Sequence, residues 1–246
     1  MNGIEVCWDH AKDGIVAAVV AKKHFLPGEI IEIAPIILLS VEDSQVIEDT
    51  NLREACFKHG DRLAVTGGYA AICHQSNNPN AVYSIFPCHR AVIIAAKKEI
   101  QRADIITIDR PGFPNTAIEG DFRNLAPWKH EGIVVRESPR RGLGVYATRP
   151  FKEGDHVEIC HLHSLSKKES MSICETEMYY YVFPAGVKNQ FCGWAVGYGC
   201  FYNHSFEPNI DPCGTLKDID IDNDIDHLAF QALRDIKAGE ELVFDY

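Results

Sequence analysis

Three short stretches in the second half of the chain carry side chains able to do chemistry. In Arg141-Gly142-Leu143-Gly144-Val145-Tyr146, two glycines flank one residue at a strand start. Such a pair lets backbone approach a ligand closely, and it equally suits a turn or bulge. In Tyr202-Asn203-His204-Ser205-Phe206-Glu207-Pro208-Asn209, Asn203 and His204 offer an amide and an imidazole for hydrogen bonding. The same pattern suits an Asx-type turn over a buried, satisfied histidine. Gly239-Glu240-Glu241-Leu242-Val243-Phe244-Asp245-Tyr246 ends in a phenol, and Tyr198 supplies a second, which could also be a packed strand tyrosine. Nine cysteines, at 7, 56, 73, 88, 160, 174, 192, 200 and 213, include no CxxC or CxC pair. His204 has no clustered Cys, His or carboxylate partners, so no metal site is expected.

The elements that must position these residues read mainly as strands. VVRES, GVYAT, HVEICHL, EMYYYVF, HLAFQAL and ELVFDY are short and rich in Val, Ile, Tyr and Phe. Lys237-Ala238-Gly239-Glu240 marks a turn before the last of them. Helix signals are few. One is Ser166–Thr176, with Ser166 as cap and Glu169 three residues on; the other is Val41–His59.

An internal repeat organises these elements. Residues 141–166 align with 15–40, 197–210 with 68–81, and 232–246 with 96–110. The offsets are 126 (141−15), 129 (197−68) and 136 (232−96), so the second copy is the longer. Pro79-Asn80 recurs as Pro208-Asn209. The expected division is a first copy at 1–118, a Pro- and Gly-containing linker at 119–131 and a second copy at 132–246. The added length includes Lys217-Asp218-Ile219-Asp220-Ile221-Asp222-Asn223-Asp224-Ile225-Asp226-His227. It reads as a hairpin with an acidic outer face, or as a surface that steers a basic peptide.

Composition narrows the function classes. The 246 residues are 46% hydrophobic and 24% charged, with 24 Lys+Arg against 35 Asp+Glu, a net charge of −11. Phosphate binding needs a positive face, so nucleic acid is not expected as a direct partner. A basic peptide is the natural partner. No apolar run reaches the ~18–20 residues of a membrane helix. The first residues lack the basic and apolar regions of a secretory signal. With an odd cysteine count, this suggests reduced thiols in the cytoplasm or nucleus.

The three motifs, in this order, resemble the SET domain of protein lysine methyltransferases, most closely the small viral and bacterial type, over Gly132–Tyr246. The resemblance implies a mainly β fold, the β-clip of small sheets with short helices and a C-terminal pseudoknot, present here as one degenerate and one intact copy. It implies S-adenosylmethionine as cofactor, held by Arg141, Gly142, Leu143, Gly144, Tyr146, Tyr202, Asn203, His204 and Tyr246. It implies that Tyr246 aims its hydroxyl at the reacting lysine nitrogen, assisted by Tyr198. It makes Phe244, two before Tyr246, the residue that sets how many methyl groups are added, with di- or trimethylation favoured.

The first copy lacks these features. Val16-Ala17-Ala18 replaces Gly142-Leu143-Gly144, His74-Gln75 replaces Asn203-His204, and Arg110 replaces Tyr246; Tyr69 alone survives opposite Tyr198. Single-copy viral members work as dimers, so the first copy is expected to imitate a partner subunit in cis. Further oligomerisation is compatible with this. No cysteine-rich flank or zinc-binding tail accompanies the motifs, and the first copy is expected to supply the missing wall. The expected activity is protein-lysine N-methylation, with histones among the substrates. The alternatives are an inactive interaction protein of the same fold and methylation of a non-lysine acceptor.

Overall fold

The computed structural model describes residues 3–11, 14–110, 132–139, 142–185, 191–213 and 227–246. The chain divides into two units, Met1–Gln45 with Arg53–Trp128, and Val46–Leu52 with Lys129–Tyr246. Arg141, the 119–131 linker and Asp218–Asp226 lie outside the described residues. Strands make up most of the regular structure, and no helix among the described residues is long and apolar enough to cross a membrane.

In the first unit, β1 (Ile4–Ala11) and β2 (Gly14–Ala21) form an antiparallel ribbon. A five-stranded antiparallel sheet is built from β3 (Ile30–Leu38), β4 (Cys56–His59), β5 (Arg62–Thr66), β7 (Ala81–Phe86) and β8 (Ala91–Ala96), in the order β4-β5-β3-β8-β7. Two-residue strands β6 (His74–Gln75) and β9 (Thr107–Ile108) pair in parallel. Alternation works as the pattern demands: Val92, Ile94 and Ala96 of β8 point into the core beside Ile36, Ala34 and Phe57.

In the second unit, β12 (His156–Ser164), β13 (Val182–Ala185), β14 (Phe191–Ala195), β16 (Ile210–Cys213) and β17 (His227–Ala232) form a five-stranded sheet in the order β13-β14-β12-β17-β16. A second sheet runs β10-β11-β18-β15, from β10 (Ile133–Ser138), β11 (Gly142–Ala147), β15 (Asn203–His204) and β18 (Glu241–Phe244). Its β15–β18 pair is parallel.

Each five-stranded sheet has a register shift in its central strand, between Ile30 and Glu32 in β3 and between His156 and Glu158 in β12. A bulge re-aims a side chain, and here both glutamates turn inward, 3% and 1% exposed. Glu158 Oε1 accepts the Tyr198 N–H at 2.8 Å, and Glu32 Oε1 accepts the Tyr69 N–H at 2.8 Å. The residue before each tyrosine is a glycine with positive φ, Gly197 at 106° and Gly68 at 67°. A Cβ on Gly197 would sit 2.6 Å from Glu158 Oε1, so backbone conformation and space both require glycine there.

Among the described residues, two short helices and a set of 3-10 turns accompany the strands. Ser166 caps the helix α2 (Lys167–Ile173) through the expected capping box: Ser166 Oγ accepts the Glu169 N–H and Glu169 Oε2 accepts the Ser166 N–H at 2.8 Å. Within the second unit, the Asn51 N–H also donates to Glu169 Oε1 at 2.6 Å. The expected helix at 41–59 is shorter: α1 covers Val41–Glu48, a 3-10 turn covers Asn51–Ala55, and Cys56–His59 is strand. The expected strand EMYYYVF is a 3-10 helix over Glu177–Tyr181, capped by Thr176, which accepts the Met178 N–H, and becomes strand only at Val182. Aromatic content alone misread it, because the side-chain cap decides the first turn.

Burial pushes the Glu158 carboxyl up to about 7, against the hydrogen bonds from Tyr198 and Tyr202 that lower it. Burial likewise pushes Glu32 up to about 7. The native state therefore holds both protons more tightly than the unfolded chain, whose glutamates keep the ordinary value of 4.5. The stability this contributes is complete below that value and is lost as pH rises through about 7. Thermal unfolding at constant ionic strength should show Tm falling across that window. Glu158→Gln and Glu32→Gln should each flatten the slope; slopes parallel to wild type would contradict the assignment.

Candidate functional site

The two-residue parallel pairing of β15 with β18 brings the site together. Asn203 pairs with Val243 and His204 with Phe244, so the chain two residues further on places Tyr246 against the Tyr202–His204 segment. The Tyr246 hydroxyl donates to the Tyr202 carbonyl at 3.0 Å, and the Tyr246 N–H to His204 Nδ1 at 3.4 Å. Their rings stand edge to face at 5.2 Å. Asn209 secures this arrangement with its side chain: Nδ2 donates to the Glu241 carbonyl and Oδ1 accepts the Val243 N–H, both at 2.8 Å.

Tyr202 is anchored in turn. It is 2% exposed, and its hydroxyl donates to Glu158 Oε2 at 2.8 Å. Burial, then the Glu158 charge, raises its pKa well above the ordinary value, so it stays a donor. Glu158 thus holds the Tyr198 backbone with one oxygen and Tyr202 with the other. Tyr198 is buried at the start of the 3-10 turn Gly199–Phe201.

On one side of Tyr246 is a cavity of about 720 Å³. Phe183 and Phe244 line it from strands, Tyr202 and Tyr246 from the residues flanking β15 and β18, and Met171 and Tyr180 from the helical segments. The Phe244 ring lies 5.9 Å from Phe183, 5.7 Å from Phe230 and 4.6 Å from Tyr246. Such a wall disfavours an ammonium by desolvation yet tolerates a more diffuse cation through its ring faces.

The glycine edge lies at the start of β11. Gly142 is exposed with φ 76°. Asn203 Nδ2 donates to the Leu143 carbonyl at 3.1 Å and to Glu241 Oε1 at 2.7 Å. A Cβ on Gly144 would overlap Glu241 Oε1 and lie 2.8 Å from Asn203 Nδ2. The side chains of Glu241 and Asn203 therefore lie against Gly144, while Gly142 is exposed. Phe206 is 88% exposed and meets the His204 ring edge-on at 4.7 Å. An open strand edge beside an uncovered aromatic pair fits a ligand with a polar chain and a flat ring, as S-adenosylmethionine has. His204 Nδ1 lies 3.5 Å from Asp245 Oδ1.

Of the residues singled out in the sequence, Leu143, Tyr202, Asn203, His204, Phe244 and Tyr246 lie together, and Tyr198 is linked to Tyr202 through Glu158. Tyr146 stands opposite Glu241 in the ladder and carries the Arg136 guanidinium 3.8 Å above its ring. Sequence reasoning missed Glu158, Phe183 and the role of Glu241. The signal for Glu158 was available, because a lone charge interrupts the apolar strand HVEICHL and Glu32 recurs at offset 126.

Gly144→Ala should break the Asn203–Glu241 contact without touching Tyr246. It should cost about 1–3 kcal/mol, as for a buried polar group left unpaired, measured by chemical denaturation. A neutral substitution would show that Glu241 can simply swing away.

The SET domain family matches residues 142–246. A Schizosaccharomyces pombe protein named histone-lysine N-methyltransferase, H3 lysine-37 specific, is 30% identical over 117 residues, which are 46% of this chain and 72% of that protein. A Xenopus laevis N-lysine methyltransferase, KMT5A-A, is 32% identical over 132 residues, 48% of this chain and 37% of that one. A solved Chaetomium thermophilum Polycomb Repressive Complex 2 chain is 23% identical, covering 48% of this chain and 15% of that one, at a TM-score of 0.39. The chain belongs to the SET-domain family, whose members are protein-lysine N-methyltransferases that use S-adenosylmethionine.

Proposed function

We propose that the second unit transfers a methyl group from S-adenosylmethionine to a lysine ε-amine of a protein, and that the first unit is a degenerate copy of the same module that binds no cofactor. One observation carries the catalytic reading. Tyr246 belongs to both surfaces: it lines the aromatic cavity and packs on His204 beside the glycine edge. A lysine entering the cavity and a cofactor on that edge would meet at this residue.

The chemistry follows from the residues. Lysine is mostly protonated at neutral pH and must lose its proton before it can attack. The cavity rings disfavour the ammonium, and the Tyr246 hydroxyl, which donates to the Tyr202 carbonyl and lines the cavity, is the group that would orient the amine. The backbone of Gly142–Leu143 and the His204–Phe206 pair would hold the cofactor. When bound, it supplies the electrophilic methyl group and a sulfonium charge that further disfavours the ammonium.

The tandem reading is supported by features shared by the units. Both have a five-stranded sheet of matching order, an inward glutamate at a bulge, and a two-residue parallel pair. Both secure that pair with an asparagine: Asn80 Nδ2 donates to the Ile105 carbonyl at 2.7 Å and its Oδ1 accepts the Thr107 N–H at 2.8 Å. The negative net charge and the histone-directed name of one relative make basic histone peptides the first substrates to try.

Incubation of histones and cell lysate with labelled S-adenosylmethionine, read by mass spectrometry, tests the reading. Tyr246→Phe removes one hydroxyl and keeps the ring, so activity should fall ~10²–10⁴-fold with Tm nearly unchanged. Near-full turnover by this variant would remove Tyr246 from the mechanism.

Phe244 is 6% exposed and lines the cavity, and unlike a tyrosine it brings no hydroxyl to that wall. The wild-type chain should accumulate di- or trimethyl-lysine, and Phe244→Tyr should shift the product towards monomethyl-lysine. Monomethyl product alone from active wild-type protein would defeat this assignment.

A further inference from the structure

Arg110 occupies, within the first unit, the place that Tyr246 holds in the second. Register establishes the correspondence independently of sequence alignment. The last pair of the parallel ladder is Gln75 with Ile108 in one unit and His204 with Phe244 in the other. Arg110 and Tyr246 each lie two residues beyond it. The Arg110 N–H donates to the Gln75 side chain, as the Tyr246 N–H does to His204 Nδ1. Most tellingly, Arg110 Nη2 donates to the Cys73 carbonyl at 2.9 Å. Cys73 precedes β6 as Tyr202 precedes β15, so this is the counterpart of the carbonyl that takes the Tyr246 hydroxyl.

The surroundings are those of a cation site. Arg110 is 7% exposed. Its Nη1 donates to the Glu54 carbonyl at 2.5 Å, and its guanidinium lies 5.5 Å over the Phe57 ring. Phe57 packs on Tyr83 with centroids 4.6 Å apart. At offset 126, Phe57 corresponds to Phe183, which lines the cavity of the second unit. The guanidinium keeps its proton in proteins, and backbone carbonyls with an aromatic face are the neutral acceptors that suit it.

We propose that the first unit retains the cation-accepting channel of the fold and that Arg110 fills it in cis, closing this copy to lysine side chains. This rests on the tandem reading. It assigns Arg110 a role beyond the loss of a catalytic tyrosine: the first unit is stable because its channel is permanently occupied, by a charge that needs no cofactor and no substrate.

The experiment uses the full chain. Arg110→Ala should lower Tm by about 5–10 °C, since it uncovers buried carbonyls and empties an aromatic site. Millimolar N-ethylguanidinium, which replaces the deleted atoms, should restore at least half of that loss saturably. N-ethylurea, a neutral analogue of the same shape, should not. An unchanged Tm, no rescue, or equal rescue by the urea would overturn the proposal. If Arg110→Ala does not fold, Arg110→Lys and Arg110→Met decide, because they match in length and differ in charge. The lysine variant should have the higher Tm; an equal or lower Tm would mean that the position needs bulk and no cation. Calorimetric titration of the wild-type chain with S-adenosylmethionine separates the two readings. Two sites per chain would overturn the reading of the first unit as a copy that binds no cofactor, whatever the rescue shows, whereas one site with no rescue would overturn the plug alone.

Discussion

A carboxyl group turned inward by a β-bulge organises the second unit. Glu158 has no exposed surface to speak of, and each of its oxygens meets one donor, the Tyr198 backbone and the Tyr202 hydroxyl. Burying a carboxyl is unfavourable unless its hydrogen bonds are complete. The chain meets this condition with a glycine of positive φ at 197 that lets the backbone approach. From there the constraint passes outward: Tyr202 is fixed by its hydroxyl, and its carbonyl receives Tyr246. The catalytic candidate on the surface is thus referenced to a group in the core.

The second constraint is the brevity of the parallel pairing. Two residues of β15 against β18 form too little ladder to be stable alone, and Asn209 supplies two further hydrogen bonds with one side chain. Pairing of this kind joins segments about 40 residues apart and needs no regular crossover. It sets Tyr246 against both the Tyr202–His204 segment and the aromatic cavity.

The two units share several local features and differ at the centre. Both keep the inward glutamate, the glycine before the tyrosine and the asparagine that secures the last strand. They differ in what reaches the carbonyl before the short strand. In one it is a phenol that lines a cavity, and in the other a buried guanidinium. Glu32 also differs, because Cys73 stands where Tyr202 would give its hydroxyl, and Glu32 Oε2 has no hydrogen-bond partner. The framework persists because it is set by backbone geometry, while the centre changes with single side chains.

Much of this was legible in the sequence. Strand content, the Ser166 capping box, the turn at Gly239 and the three motifs depend on local pattern, and local pattern is what a sequence displays. The recurrence of those patterns at offsets near 130 is what suggested the repeat on which the tandem proposal rests. Local pattern misled where a side-chain cap outweighed aromatic content, at Glu177–Tyr181, and where a helical start gave way to strand, at Cys56–His59. Tertiary structure alone decided that Glu158 faces inward, because a bulge breaks the two-residue alternation from which facing is read. It alone decided that the room at Gly144 belongs to Glu241 and Asn203, and that Arg110 enters the core. Each of these depends on contacts between segments 30 to 100 residues apart, and spacing along a chain carries no distance across it.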